Sequence, residues 1–199
     1  MKSQLGRMFT CVVFGLCVAS IAFAEEPEFA SAVADARLDA KFQNADGWIG
    51  GDGAYSVELG NGRTAWIFSD TWVGQVRDGK RANATMVNNS AAIQTGSGDN
   101  LRLQFFVRRN AQNQPIALIS PKDGRGWYWL QSGVMVGNRL VLFLAQFEQA
   151  RIGDVFGFEQ IGQWLGIVDN PMDEPTAWHV EQVSLPSVEF GAKQATSFG

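Results

Sequence analysis

Hydrophobic and polar residues alternate with a period of two along most of the chain from Trp48 onwards. The segment from Trp48 to Gly74 has the sequence WIGGDGAYSVELGNGRTAWIFSDTWVG, in which Tyr55, Val57 and Leu59 alternate with small or polar residues. This alternation predicts β-strands with one buried face. The Asn61-Gly62 pair favours a type I′ turn, because both central residues of that turn need a positive φ. The segment is therefore predicted to form one β-hairpin.

The same pattern continues after the hairpin. MVNNSAAIQ and LRLQFFVRR predict two more strands, which with the hairpin make four antiparallel strands. A second set follows, because GWYWLQSGVMVGNRLVLFLAQFE again has an aromatic run, a Gly-Asn turn and an apolar return strand. VFGFEQIGQWLGIV and TAWHVEQVSLP complete it. Gly60-Asn61 and Gly137-Asn138 lie 77 residues apart, which indicates a repeated supersecondary unit.

Four-stranded units repeated in series are typical of β-propeller blades, of which about four to eight close a propeller. The chain has strand content for two, residues 48–122 as blade 1 and 123–199 as blade 2 with the start of a connection to a third. Two blades alone would leave apolar sheet faces uncovered. We therefore expect an all-β β-propeller of which this chain is an N-terminal part; the number of blades does not follow from the repeat. The alternative is a complete β-sandwich of two sheets.

The first 47 residues have a different character. Residues 1–24 combine a basic start (Lys2, Arg7), an apolar run and small residues at Ala22 and Ala24, which is the pattern of a secretory signal peptide. An uncleaved anchor is the alternative. Residues 25–47 form a polar lead-in that is either a short helix or disordered. The expected location is secreted or periplasmic.

Composition indicates how the mature chain is stabilised and which classes of partner are not expected. Both cysteines, Cys11 and Cys17, lie in the signal segment, so the mature chain depends on its core and not on disulfides. Removing Lys2 and Arg7 leaves 14 basic residues against 20 acidic ones, a net charge of −6. Nucleic acid is therefore not expected as a partner. No later segment is apolar enough to span a membrane, and nothing in the composition indicates an oligomeric state.

Two carboxylates lie at the open end of the predicted hairpin, Asp52 and Asp70. Counting outward from the turn gives the pairs Gly60–Arg63, Val57–Trp66, Tyr55–Phe68, Gly53–Asp70 and Asp52–Thr71. The aspartates are thus one rung apart, and strict alternation places them on opposite faces unless a bulge at the neighbouring glycines rotates Asp52.

Adjacent rungs suit a pair of catalytic carboxyl groups. Glycoside hydrolysis uses two of them, about 5–5.5 Å apart for retention and about 6.5–9.5 Å apart for inversion. The alternative is structural: Asp70 caps a turn and Asp52 bonds the glycine-rich backbone.

Aromatic and amide side chains supply candidate binding residues. Trp48, Trp72 and Trp129 offer faces on which a pyranose ring can stack, although aromatic residues also dominate cores. Asn88 and Asn89 interrupt an apolar strand, and a buried polar pair must find hydrogen bonds. A sugar hydroxyl is one such partner and the protein itself is the other.

Neither a catalytic triad nor a metal cluster can be assembled around His179, the only histidine, so it is expected to be structural. No metal or other cofactor is predicted. The acidic segment Asp169–Pro175 leaves structural calcium as an alternative, but its two prolines and its lack of ligand spacing favour an ordinary loop.

Several of these motifs together resemble a known group of proteins. WIGGDGAYSV, GRTAWIFSDTWVG, NNSAAIQ, GWYW and LVLFL are similar to a family of secreted bacterial proteins classed as a domain of unknown function, near the five-bladed β-propeller glycoside hydrolases. The resemblance extends from about Trp48 to Pro186, and its first hairpin is the most specific part. It implies a sugar-active or sugar-binding site in a central pocket.

The resemblance also implies roles for particular positions. An acidic residue near the start of the first innermost strand acts as base or nucleophile in five-bladed glycosidases, and Asp52 occupies such a position. Relatives place an aspartate after GWYW, where this chain has LQSG with Ser132 near that position, which puts catalysis in doubt.

The expected function is that of an exported, glycoside-hydrolase-like protein acting on a poly- or oligosaccharide by carboxylate acid–base chemistry. The alternative is a non-catalytic carbohydrate-binding or protein-interaction propeller of the cell envelope. The sequence indicates neither substrate, linkage nor stereochemical course.

Overall fold

The computed structural model describes residues 33–150 and 157–185. The signal segment predicted at 1–24 and the last residues, 186–199, lie outside the described residues. None of the helices in the described parts has the length and apolar character needed to cross a membrane. The helix expected in the lead-in is a short one, α1, whose N-terminus is capped by the Asp35 carboxylate through the N–H groups of Arg37 and Leu38.

The described chain is an all-β structure apart from α1 and two short 3-10 turns. Its elements are α1 (Ala36–Lys41), β1 (Asp46–Gly51), β2 (Tyr55–Gly60), β3 (Arg63–Phe68), β4 (Thr71–Arg77), β5 (Lys80–Val87), β6 (Ser90–Thr95), β7 (Arg102–Phe106), β8 (Arg108–Arg109), β9 (Pro115–Ile116), β10 (Trp127–Val136), β11 (Arg139–Gln149), β12 (Phe158–Val168) and β13 (Val180–Ser184).

The strands form four antiparallel sheets, two of them four-stranded. The first sheet has the order β2-β3-β6-β7 and the second the order β10-β11-β12-β13. Both therefore run outward in chain order from an opening hairpin, as the repeated pattern predicted. A three-stranded sheet, β1-β4-β5, and the ribbon β8-β9 complete the described strands. The all-β class is confirmed, while the closure of such sheets into a five-bladed propeller stays a prediction.

The predicted hairpin is part of a longer, bent ribbon. Its turn is the expected one, with φ of 55° at Asn61 and 67° at Gly62. Beyond the paired strands β2 and β3 the same two chain segments pair again as β1 and β4, in a different sheet. The return strand TAWIFSDTW, predicted as one strand, is thus divided between two sheets.

The predicted register of the hairpin is wrong beyond its first rung. Gly60 pairs with Arg63 as expected, but a bulge between Glu58 and Gly60 places Val57 opposite Ala65 and Tyr55 opposite Ile67. The bulge follows from Gly60, whose φ of 90° carries an extra residue, Leu59, into the strand.

The main core lies between the two four-stranded sheets. Val57, Ala65 and Ile67 face it from the first sheet, and Leu130 and Leu142 face it from the second. A second cluster on the other face of the first sheet joins aromatic rings with Ala92: Trp48, Phe68, Phe105, Phe42, Trp66. The first sheet is consequently packed on both faces.

A buried amide fastens the two four-stranded sheets together. Asn89, which has no exposed surface, precedes β6 and donates from Nδ2 to the carbonyl oxygens of Ile119 (2.9 Å) and Tyr128 (2.8 Å). Its Oδ1 accepts from the N–H of Ile119 at 2.8 Å. Tyr128 belongs to β10, so the side chain of Asn89 holds the second sheet against the first.

Replacing Asn89 should therefore destabilise the whole fold. We expect Asn89→Ala to lower the free energy of unfolding by about 3 kcal/mol or more, because three buried backbone groups lose their partner. Urea denaturation followed by tryptophan fluorescence measures this. Asn88→Ala is the matched control: its side chain makes one long bond, of 3.4 Å, and we expect a loss of less than about 1 kcal/mol. Equal losses for both variants would contradict the role of Asn89.

Candidate functional site

The bend in the ribbon brings Asp52 and Asp70 together. Between β1 and β2, and between β3 and β4, the chain leaves one sheet for the other, and the two crossing points are hydrogen-bonded to each other. The N–H of Asp52 donates to the carbonyl of Asp70 at 3.0 Å, and the N–H of Ser69 donates to the carbonyl of Asp52 at 3.0 Å. The aspartates are therefore cross-strand neighbours, and not one rung apart as predicted.

Gly53 makes the bend possible. Its φ is 80°, a conformation that residues with a Cβ rarely adopt. A Cβ there would also lie 3.3 Å from the backbone nitrogen of Ser69 and 3.3 Å from its hydroxyl. The glycine thus lets the strand that carries Asp52 turn closely past the strand that carries Asp70.

Asp70 is held by donors from β10 and from the connection between β5 and β6. Its Oδ1 accepts from the indole N–H of Trp129 at 2.8 Å and from the amide of Asn88 at 3.4 Å. Trp129 belongs to β10 of the second sheet, and its ring packs on Phe147 with the centroids 4.2 Å apart. The carboxylate of the first sheet thus fixes an aromatic ring of the second.

Asp52 has a raised pKa. Burial of its carboxyl group is the largest cause, and the negative charge of Asp70 adds to it. Hydrogen bonds from the local backbone, at Asp70 and at Asp52 itself, lower the pKa and offset part of the rise. Two carboxyl groups in different surroundings are a common feature of sites that perform acid–base chemistry, although ion pairs in structural roles also shift pKa values.

A cleft of about 290 Å³ opens beside the aspartates. Both sheets contribute to its walls: Asp52, Gly53, Tyr55 and Ser69 from the first, and Trp129, Leu130, Gln131 and Phe147 from the second. The Ser69 hydroxyl donates to the carbonyl of Leu130 at 2.8 Å and so joins the two walls. The cleft is on the edge of the size range of small-molecule sites, about 300–1,000 Å³.

Gln131 is a lining residue that the sequence did not indicate. The register of β10 and β11 shifts between Leu130 and Ser132, so Gln131 is bulged out of the ladder. It lines the cleft, and its Oε1 is buried and has no hydrogen-bond partner among the described residues. The position after GWYW that faces the cleft is therefore Gln131, whereas Ser132 pairs with Phe143 in the ladder.

Two of the predicted tryptophans lie away from the cleft walls. Trp48 is buried, donates its indole N–H to the Ser90 hydroxyl at 3.2 Å and stacks on Phe105 with the centroids 4.2 Å apart. Trp72 is half-buried in β4, where the guanidinium of Arg81 lies 4.7 Å from its ring. The contacts of Trp48 are those of a core residue.

The two predicted asparagines have different surroundings. Asn88 contacts Asp70 and so belongs to the site, whereas Asn89 is fully buried and bonded to the backbone. Trp129 is thus the predicted binding residue that the structure brings directly to the cleft, together with Asp52. A period-two pattern does not separate the two asparagines, because both simply interrupt an apolar run.

The acidic loop Asp169–Pro175 is bonded internally. Asn170 donates to Asp173 at 2.8 Å and to the carbonyl of Ala177 at 2.9 Å, and it accepts from the N–H of His179 at 2.7 Å. Within residues 33–150 and 157–185, no three His, Cys, Asp or Glu side chains come together as a metal site would require.

Comparison with known families gives one match over most of the chain. A model described as "Domain of unknown function (DUF5005)" matches residues 35–197. No curated protein matches the chain.

One solved structure gives a likeness of fold. It is a crystal structure of a protein from Bacteroides ovatus ATCC 8483, named as a putative hydrolase, with a TM-score of 0.57 and 22% identity. The match covers 70% of this chain and 39% of the other, so this chain spans well under half of the length of that protein.

The pKa of Asp52 predicts a pH-dependent gain in stability for Asp52→Asn. The folded state binds the proton of Asp52 more tightly than the unfolded state does, so ionisation of this side chain destabilises the fold. The destabilisation is complete above the pKa that Asp52 has in the folded state. It is absent below about pH 3.9, where Asp52 is protonated in both states. We expect the variant to be more stable than wild type at pH 7, by less than about 1 kcal/mol because solvent screens an exposed group. The gain should disappear as the pH falls towards about 3.9.

Urea denaturation at several pH values between 7 and 3.5 measures this difference. Asp78→Asn is the control, since Asp78 is exposed in the β4–β5 turn at a φ of 51° that asparagine also adopts. A gain for Asp52→Asn that is the same at every pH, or equal to that of the control, would contradict the raised pKa.

Proposed function

The chain belongs to the DUF5005 family, and we propose that it is an exported, glycoside-hydrolase-like β-propeller protein that cleaves a poly- or oligosaccharide. The likeness to the Bacteroides ovatus protein supports a hydrolase-related fold. Export rests on the signal-peptide pattern of residues 1–24, and the carbohydrate substrate on the resemblance of the first hairpin to those of five-bladed glycosidases.

The observation that carries the proposal is the Asp52 carboxyl group in the wall of the cleft, with the Asp70 carboxyl group behind the wall and next to it. Asp52 lines the cleft. The carbonyl of Asp70 accepts a hydrogen bond from the N–H of Asp52, and the side chain of Asp70 accepts one from Trp129. The aspartates come from separate strands, so the pairing depends on the bend of the ribbon and not on sequence proximity.

The surroundings of the two aspartates assign them different roles. A glycosidic bond is broken when an acid protonates the leaving oxygen and a second carboxylate assists at the anomeric carbon. Asp52, whose pKa is raised, is the better suited of the two to act as the proton donor. Asp70, which accepts two N–H bonds, is the anionic partner. It either removes the proton of an attacking water or attacks the carbon itself.

The walls of the cleft supply contacts for the sugar. Trp129 and Tyr55 present aromatic surface, on which the C–H face of a pyranose can stack. Gln131 also lines the cleft, and a side-chain amide can exchange hydrogen bonds with sugar hydroxyl groups. The cleft thus combines apolar area with a small number of polar groups, as ligand sites usually do.

A second candidate function is binding without turnover. It is favoured by the segment after GWYW, where the resemblance implies an aspartate near Ser132 and this chain has none; the residue of that segment that lines the cleft with a polar side chain is Gln131, an amide. It is also favoured by Asp70, because the Oδ1 of this residue already accepts hydrogen bonds from Trp129 and Asn88 and is less available for catalysis. In this case the same cleft holds a glycan, and the aspartates serve as hydrogen-bond acceptors.

Turnover and binding can be separated with Asp52→Asn. Wild type and variant are assayed for reducing-end release on a panel of neutral glycans, and their binding is measured on a glycan array. We expect hydrolysis by wild type, a loss of at least about a hundredfold in rate for Asp52→Asn and for Asp70→Asn, and retained binding for Asp52→Asn. The amide keeps the shape of the carboxyl but has no proton to donate.

Asp78→Asn is again the control and should hydrolyse at the wild-type rate. Array binding by wild type without any hydrolysis would favour the binding function. Neither binding nor hydrolysis on the panel would count against both, and unchanged rates for Asp52→Asn and Asp70→Asn would exclude the carboxylate mechanism.

A further inference from the structure

A row of basic side chains crosses the first sheet far from the candidate cleft. Arg63 of β3 pairs with Thr95 of β6, and Thr95 pairs with Arg102 of β7, so the three residues form one rung and share one face. Neighbouring strands lie about 4.8 Å apart, which places the two arginines about 10 Å apart with the Thr95 hydroxyl between them. Guanidinium groups on such a row can converge on one ligand.

The rung faces a groove of about 500 Å³. Lys41 from α1 adds a third positive charge to its walls, and Glu174, from the loop before β13, adds one negative charge. The four ionisable groups that line the groove therefore carry a net charge of +2, in a chain whose formal net charge is −4. The groove is thus positively charged, although the protein as a whole is negatively charged.

Within the described residues, no carboxylate pairs with the arginines of this row. Across residues 33–150 and 157–185, no salt bridge joins Arg63 or Arg102 to a carboxylate: the ion pairs are those of Arg37, Arg77, Arg125 and His179. The Nε of Arg63 is buried and makes no hydrogen bond within that part of the chain. Burying a charged donor without an acceptor is costly, and most proteins avoid it.

We infer that this groove is a binding site for an anionic sugar, a pyranose that carries a carboxylate. The planar guanidinium forks of Arg63 and Arg102, which both line the groove, match a carboxylate. The site lies at the turn end of β3, whereas Asp70 follows the other end of that strand, about 17 Å away along β3. The groove is therefore distinct from the candidate cleft and does not depend on the function proposed for it.

The remaining walls fit the rest of a sugar. The hydroxyl of Thr95, the amide of Gln104 and the carboxylate of Glu174 can each bond sugar hydroxyl groups. The partly exposed side chains of Leu101 and Leu103 provide apolar surface for the C–H face of the ring, while Ile93 and Phe106 line the groove from the main core. A site for a free inorganic anion needs neither the apolar walls nor an acceptor such as Glu174, which repels an anion.

Isothermal titration calorimetry with three probes, D-glucuronate, D-glucose and sulfate, tests this assignment. We expect glucuronate to bind saturably and at least about tenfold more tightly than glucose or sulfate, and more weakly as salt is added. Arg63→Gln and Arg102→Gln should each weaken glucuronate binding about tenfold, while Asp52→Asn should leave it unchanged. Arg102 is exposed, so its variant keeps the test valid should Arg63→Gln destabilise the fold.

Arg139→Gln is the matched control, because Arg139 is exposed and follows the turn of the second four-stranded sheet as Arg63 follows that of the first. It should bind glucuronate like wild type. Equal affinities for glucuronate and glucose, or no saturation with glucuronate, would overturn the proposal. Equal affinities for glucuronate and sulfate would overturn the assignment of a sugar, and wild-type binding by both arginine variants would overturn the site.

Discussion

The structure depends on the buried amide of Asn89, because it joins the two four-stranded sheets and sets their relative position. The amide donates to the carbonyl of Tyr128 and so holds β10 in place. At this part of β10, successive side chains face the core and the cleft in turn. Tyr128 and Leu130 are buried in the core, and Trp129 between them points the other way, to Asp70. Asn88 and Asn89 thus act on opposite faces: one contacts the candidate site, and the other holds the sheet that completes it.

The pairing of Asp52 and Asp70 follows from a constraint on the ribbon. A ribbon that must serve two sheets has to bend, and at the bend both strands leave the regular ladder. Backbone hydrogen bonds then keep the two crossing points together, so the aspartates remain adjacent where ladder geometry alone would not place them. The electrostatic strain on Asp52 is a consequence of this arrangement, since one carboxyl group is partly buried beside another.

The sequence predicted those parts of the structure that are determined locally. The Asn61-Gly62 turn and the strands of both four-stranded sheets follow from turn chemistry and alternation. The sequence also indicated that Asp52 and Asp70 lie near each other, but the bend that makes them neighbours was not predicted. The bulges at Leu59 and Gln131 were not predictable, because one extra residue in a strand leaves the hydrophobic pattern almost unchanged while it shifts every side chain beyond it. For the same reason Trp48 and Trp129 look alike in sequence, although one is in the core and the other at the cleft.

The charges of the molecule are separated along β3, and the separation determines how the two candidate sites influence each other. The aspartates lie near one end of the strand and Arg63 at the other, about 17 Å apart, which is about twice the Debye length of roughly 8 Å at physiological ionic strength. The basic row therefore contributes little to the pKa of Asp52, whose causes are local: burial and Asp70. Conversely, Asp52 and Asp70 do not neutralise the groove, so its positive field is available to a ligand. The cleft repels anions and the groove attracts them, and so the two sites select different chemical groups.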